Sequence, residues 1–284
     1  MANLAGGYMG LLTGPANIRC TSFGVNSSQE VLFYNPVLGI NDAVPSGDST
    51  KKEVPGTRTT NLKRIFRPSV INVGGSFSYP ATESGIETFY DYAKNGGYID
   101  ELNFQYYCGD LIGGNGILFT DSRVNSFDFS IQAGEIANIS VDIGCKKSEK
   151  VQLSTSYTDP EKLITWDVIK VVTTPEIQHV KGVSFKINNN LSPIYTAGVT
   201  GEESLYPYDL RLGIQEVTGS ISFYLKQGQV FIPTTKSDPD TIEITCPGLT
   251  MKATIFFQTT QAEGATGPVV CELPFVGVGN IFDA

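Results

Sequence analysis

The chain has 284 residues, 40% hydrophobic and 17% charged, which is enough apolar content for a sizeable buried core and argues against a disordered protein. Twenty Lys and Arg against 29 Asp and Glu give a net charge of −9, and both halves are acidic. A protein that holds nucleic acid through its phosphates would carry the opposite sign, so sequence-reading DNA binding is disfavoured, and no apolar run reaches the roughly 18 residues of a membrane span.

Thirty Gly and fifteen Pro, scattered along the chain, favour short elements joined by tight turns, and the fold class expected is all-β. The opening residues, MANLAGGYMGLLTG, lack a signal peptide's basic region and sustained apolar core. Residues 2–14 read as an arm or as a strand completed by a neighbour. From Ser22 the pattern alternates, with Phe23 and Val25 expected inward, then Val31 and Phe33. A polar stretch over residues 35–61, rich in Pro, Gly and charge, is too long for an ordinary connection and is expected to be an extended hairpin or loop that reaches a partner.

Residues 71–80 alternate again, with Val73, Phe77 and Tyr79 inward around Gly75, and Pro80 ends the run. Ser84 and Glu87 have the spacing of a capping box, Ile86, Phe89, Tyr90 and Ala93 follow at helical spacing, and Gly96 supplies a stop. One short helix is therefore expected over Glu83–Asn95. The Gly run Gly113, Gly114, Gly116 lacks the dinucleotide-binding pattern and reads as a turn. Phe127, Phe129 and Ile131 before Gly134, then Ile139, Val141 and Ile143, predict a hairpin. Residues 146–163, charged and polar, are the candidate linker.

The stretch Val180 to Leu225 is the clearest. Val183, Phe185 and Ile187 face one way and Ser184, Lys186 and Asn188 the other; Val217, Ile221, Phe223 and Leu225 face inward around Gly219 while Glu216, Thr218, Ser220, Ser222 and Tyr224 face out. These are two strands with small polar outer faces. Residues 241–258 predict a second hairpin, and residues 269–282 a final buried strand.

Three landmarks recur in order. Ser22-Phe23-Gly24-Val25-Asn26 matches Ser184-Phe185-Lys186-Ile187-Asn188, Val73 to Tyr79 matches Val217 to Phe223, and the hairpin from Phe127 corresponds to the one from Ile242. Duplication is the expectation, with two tandem related β-sandwich or half-barrel domains over residues 1–155 and 156–284.

Chemistry is sparse. His179, the single histidine, has no partner pattern of a general base and reads as a surface or edge residue. Asp238-Pro239-Asp240 lacks the Gly and Glu of a calcium loop. The five cysteines, Cys20, Cys108, Cys145, Cys246 and Cys271, form no C-x-x-C pair and read as buried reduced thiols. Trp166 reads as core or interface, and the tyrosines at 90, 92, 98, 106 and 107 as core under the helix or an inter-subunit contact. No catalytic, cofactor-binding or metal-binding residue is expected, and no enzymatic activity.

Val183 to Leu191, Leu205-Tyr206-Pro207 and Glu216 to Ile221 resemble the second half of bacteriophage tail tube proteins, and Phe129 to Glu135 followed by Ile139 to Asp142 resembles their central hairpin. The likeness runs through most of residues 15–284. It implies a structural virion protein of the tail, made in the host cytoplasm, whose β-sandwich units form stacked rings around a conduit for DNA ejection. Its partners would be copies of itself, as a trimer of pseudo-sixfold symmetry or alternatively a hexamer, with tail sheath, tape measure, baseplate and tail terminator proteins, and DNA only in transit. The 35–61 stretch falls where the family's ring-to-ring loop lies. A baseplate or secretion-system tube component and a carbohydrate-binding β-sandwich are the alternatives.

Overall fold

The computed structural model describes residues 10–16, 18–34, 65–106, 114–153, 162–196, 205–225, 239–258, 261–263, 269–278 and 282. The period-2 runs become strands. The first group is β1 (Gly10–Thr13), β2 (Ile18–Cys20), β3 (Ser22–Tyr34), β4 (Ile65–Pro80), β5 (Ile99–Tyr106), β6 (Gly114–Gln132) and β7 (Asn138–Leu153), with helix α1 (Glu83–Asn95) between β4 and β5. The second group is β8 (Lys170–Thr174), β9 (Val180–Asn188), β10 (Ser192–Ile194), β11 (Asp209–Arg211), β12 (Glu216–Leu225), β13 (Asp240–Cys246), β14 (Leu249–Phe257), β15 (Gln261–Glu263) and β16 (Val269–Gly277). Among the described residues every ladder is antiparallel, and the fold is all-β with one short helix.

Two series of strands pair in the same order relative to the chain. One runs β1-β5-β6-β7-β4-β3 and the other β8-β13-β14-β16-β12-β9. In both, the strand beside β7 or β16 slips its register by one residue partway along. In β6 the slip falls between Val124 and Ser126. In the second series Phe257 of β14 faces Phe275, whereas Gln261 of β15 faces Glu272, so β15 continues the β14 path past the same slip. Such a bulge bends the strand. It lets the first part of β6 pair with β5 while its second part pairs with β9.

Continuous pairing therefore carries one wall through both groups, β3-β4-β7-β6-β9-β12-β16-β15. Phe77, Val141, Phe127, Phe129, Phe185, Ile221 and Leu273 lie on its inner side, each at most 1% exposed, in one core shared by both groups.

Helix α1 closes that core. Ile86, Phe89, Tyr90 and Ala93 are buried; Phe89 meets Phe77 edge-on with ring centroids 5.1 Å apart, and Tyr90 meets Phe127 at 5.9 Å and Phe185 at 6.5 Å. The helix thus bridges β4, β6 and β9, and burying Ile86 and Phe89 alone is worth about 4 kcal/mol. Gly96 ends it in the left-handed conformation, as expected. The N-cap is Thr82, whose hydroxyl accepts from the Gly85 amide at 3.3 Å, in place of Ser84. Thr82 is held extended by its bridge to Leu163, so the helix begins before the capping-box serine.

Just past β9, Asn189 is 1% exposed with its polar groups satisfied. Its Nδ2 donates to the Ala93 and Val124 carbonyls, both at 2.9 Å, and its Oδ1 accepts from Gln215 at 2.8 Å. It ties the last turn of α1 to β6.

Several expectations change. Residues 10–13 form a strand completed within the chain, between β2 and β5. Gly114 and Gly116 belong to β6, because β7 pairs with both and β5 with Gly116, supplying the ladder that the sequence alone did not show. The first half of the linker candidate is strand, since β7 runs on to Leu153 against β6. The β13–β14 hairpin lies where β5 and β6 lie, and the counterpart of the β6–β7 hairpin is β14 with β16. Residues 35–61, Cys108 and Tyr107 lie outside the described residues.

Candidate assembly surface

The side of the wall away from the core is built from the positions that alternate with the buried ones. Reading across strands, one row is Asn138, Ser130, Ser184, Ser220 and Pro274. The next is Ser78, Ser140, Asp128, Lys186, Thr218 and Val276, and a third is Ser76, Asp142, Ser126, Asn188 and Glu216. Gln132, Gly182, Ser222 and Glu272 make a fourth. The composition follows from strand periodicity: a two-residue repeat that puts Phe, Val and Ile in the core leaves Ser, Thr and Asn on the other side.

Hydroxyls on this face are spent on one another. Ser78 Oγ lies 2.7 Å from Ser140 Oγ, Ser184 Oγ lies 3.1 Å from Ser220 Oγ, and the Ser126 hydroxyl donates to Asp142 at 2.9 Å. Charge in the four rows comes from Asp128, Asp142, Glu216 and Glu272, against Lys186. Lys186 sits 4.0 Å from Asp128 across the β6–β9 joint. Partial burial raises the Asp128 carboxyl above the usual aspartate range; Lys186 opposes the shift and Asp142 adds to it. These four rows are hydrogen-bonded and mildly acidic, with little to hold a polyanion.

Towards the β4–β7 end, the β10–β11 hairpin folds across this side. Leu191 and Leu210 lie over Gly144, Tyr195 hydrogen-bonds Asn72, and Arg123 donates to the Leu210 carbonyl at 2.6 Å. Tyr98 bonds Asp209 and carries the Arg123 guanidinium 3.9 Å above its ring.

Each end of the wall is a strand paired on one side among the described residues: β3 with β4, and β15 with β16. These lateral edges are available to a further strand. One observation at the β3 end departs from expectation. Val25, expected inward, is 38% exposed, while Phe185 at the matching place beside Gly219 is fully buried under β6.

Residues weighed for chemistry scatter. His179 is exposed in a left-handed turn before β9. Trp166, in a short 3₁₀ turn over Trp166–Val168, packs half-buried against the core. Tyr90 is core, whereas Tyr98 belongs to the hairpin contact. Cys20, Cys145, Cys246 and Cys271 are buried free thiols, and burial pushes Cys20 and Cys145 up to about 12. Among the described residues no group of His, Cys, Asp and Glu could hold a metal ion, and no helix is long and apolar enough to cross a membrane. Sequence reasoning missed the β15 edge and the acidic positions 142 and 272, because which residues share a row depends on the register between distant strands.

No curated protein matches the chain. The family described as phage tail tube protein matches residues 13–277, which takes in the whole wall, its polar face and both lateral edges. On that coverage the chain belongs to the phage tail tube protein family, whose members are structural components of the virion tail.

Proposed function

We propose that the chain is a tail tube subunit in which residues 1–155 and 156–284 act as two duplicated wall units, and that three chains close a ring around the DNA conduit. The observation that carries this reading is the eight-strand wall, polar on one side and, among the described residues, open at both lateral edges. The shared pairing order of the two series supports the duplication.

Strand number argues for three chains. Eight strands closed on themselves leave an interior just filled by side chains, and serine rows make a poor core. With strands about 4.8 Å apart and tilted about 40°, 24 strands give a backbone circumference of about 150 Å and a diameter of about 48 Å. Lined by side chains, that bore passes one duplex, whose two groove depths alone span about 16 Å. Six chains would give about 95 Å by the same arithmetic, far wider than one duplex needs. DNA carries about one charge per 1.7 Å, so a lining of serines and acids lets it slide where a basic lining would grip it.

Rings then stack, with the 35–61 stretch reaching the adjacent ring, and the finished tube meets the tape measure, terminator, baseplate and any sheath. Electron microscopy of purified protein tests this. Uniform tubes whose cross-section shows three chains per ring are expected; a monomer at high concentration, or six chains per ring, would refute it. Deleting residues 37–59 is expected to leave rings that do not stack.

A further inference from the structure

We propose that the joint between chains repeats the joint already present inside the chain, so that β15 of one copy pairs with β3 of the next in a register fixed by β6 and β9. The inference rests on the ring reading above and specifies its contact residue by residue.

The argument carries positions across the two series. The register slip fixes the correspondence. The last pair before it is Val124 with Ile143 in one series and Phe257 with Phe275 in the other. Ile143 faces Gly75 of β4 as Phe275 faces Gly219 of β12, so Gly75 and Gly219 are counterparts, as are Tyr79 and Phe223. Tyr79 faces Ile139 and Phe223 faces Cys271. Phe129 of β6 lies on the other side of Ile139, and Ala262 of β15 on the other side of Cys271. Ala262 therefore holds the place of Phe129. At the other end, Phe185 of β9 faces Gly219 and Val25 of β3 faces Gly75, so Val25 holds the place of Phe185. Within the chain Phe129 pairs with Phe185 and Asp128 with Lys186, antiparallel. Between chains the same geometry sets Ala262 against Val25 of the partner subunit, Gln261 against Asn26 of the partner subunit, and Glu263 against Gly24 of the partner subunit.

The exposure of Val25 is an independent observation with the same meaning. Its counterpart Phe185 is 0% exposed because β6 lies beside it, whereas Val25 is 38% exposed at an edge where no such strand lies among the described residues. A second copy of this chain supplies the missing strand. Strand addition satisfies backbone groups along both edges at once, and the covered valine sets the face.

The register differs from the one that matching the sequences would give. Aligning Ser22-Phe23 with Ser184-Phe185 would put Gln261 opposite Gly24 of the partner subunit, two residues away. Two double variants separate the registers, Gln261→Cys with Asn26→Cys and Gln261→Cys with Gly24→Cys, each oxidised after assembly and run beside its single variants. The first is expected to give covalent ladders ending at three chains, at least about tenfold stronger than the second. Rings that form while the second pair, or neither, cross-links overturn the register and leave the tube reading standing. Wild-type protein that never forms rings overturns both. On unaltered protein, amides of residues 22–28 and 261–263 are expected to gain hydrogen-exchange protection on assembly, and unchanged exchange there likewise rejects the joint.

Discussion

Gly75 and Gly219 occupy the same place in the two series, yet the structure gives them different tolerance for a side chain. At Gly219 an added methyl would collide with the Ser184 carbonyl oxygen and lie within the Phe275 ring, whose Cε1 would be 2.9 Å away. Phe275 is 1% exposed and packed against Phe185 and Phe257 with centroids 6.4 and 6.5 Å away, so it has nowhere to go. At Gly75 the nearest atoms are Phe119 Cζ at 3.3 Å and the Gly24 carbonyl at 3.4 Å, close to ordinary contact. Overpacking a filled core costs about 1–3 kcal/mol, with backbone collision placing Gly219→Ala at the upper end, about 3 kcal/mol. Gly75→Ala gains about 0.4–1 kcal/mol from a stiffer unfolded chain against a small ring adjustment, and is expected within about 1 kcal/mol of wild type. For a chain of this size about 3 kcal/mol lowers the melting temperature by roughly 6–10 °C. Calorimetry of the unassembled variants reads the difference, and equal shifts at the two glycines would show that Phe275 does not lie over Gly219.

Asn189→Ala removes two donors and an acceptor from a buried cluster and is expected to destabilise by about 3 kcal/mol, with a loss below about 1 kcal/mol counting against the cluster. Thr82→Ala is expected to cost about 1 kcal/mol and Ser84→Ala less, and the reverse ranking in thermal melts would restore Ser84 as the cap. Because Asp128 holds its proton more tightly folded than unfolded, its contribution to stability falls as pH rises from about 3.9 through its raised native value and returns on acidification. Melting temperature against pH should therefore be shifted upward at the high end of that window in Asp128→Asn relative to wild type, and parallel curves would reject the assignment. Arginines at Ser184 and Ser220 are expected to slow DNA release from reconstituted particles at low salt and to restore it at high salt, whereas salt-independent release would place this face away from DNA.

Alternation made most strands readable, along with the helix and its glycine stop. The inward and outward sides of β9 and β12 were correct residue by residue, since both strands lie in mid-wall, where one side is always core. Register was not readable. A two-residue shift leaves every side chain on the same side, so Phe23 could be matched to Phe185 although the structure matches Val25 to it. The strand at Gly114 was hidden because glycines carry no side-chain pattern, and the exposure of Val25 was hidden because an edge strand has the same alternation as a central one. The polar face was legible strand by strand, but its rows needed the pairing of residues far apart in sequence, such as Asp128 with Lys186.

Pairing β6 to β9 within one polypeptide has a consequence for how the protein grows into something larger. That contact forms at the local concentration set by the intervening chain, so it carries no dilution penalty and cannot be lost when subunits are scarce. In the proposed ring, only the β3 and β15 sides would depend on an encounter. Each newcomer would bring one seam already closed, and lateral closure of a ring at low subunit supply would be limited by a single kind of collision.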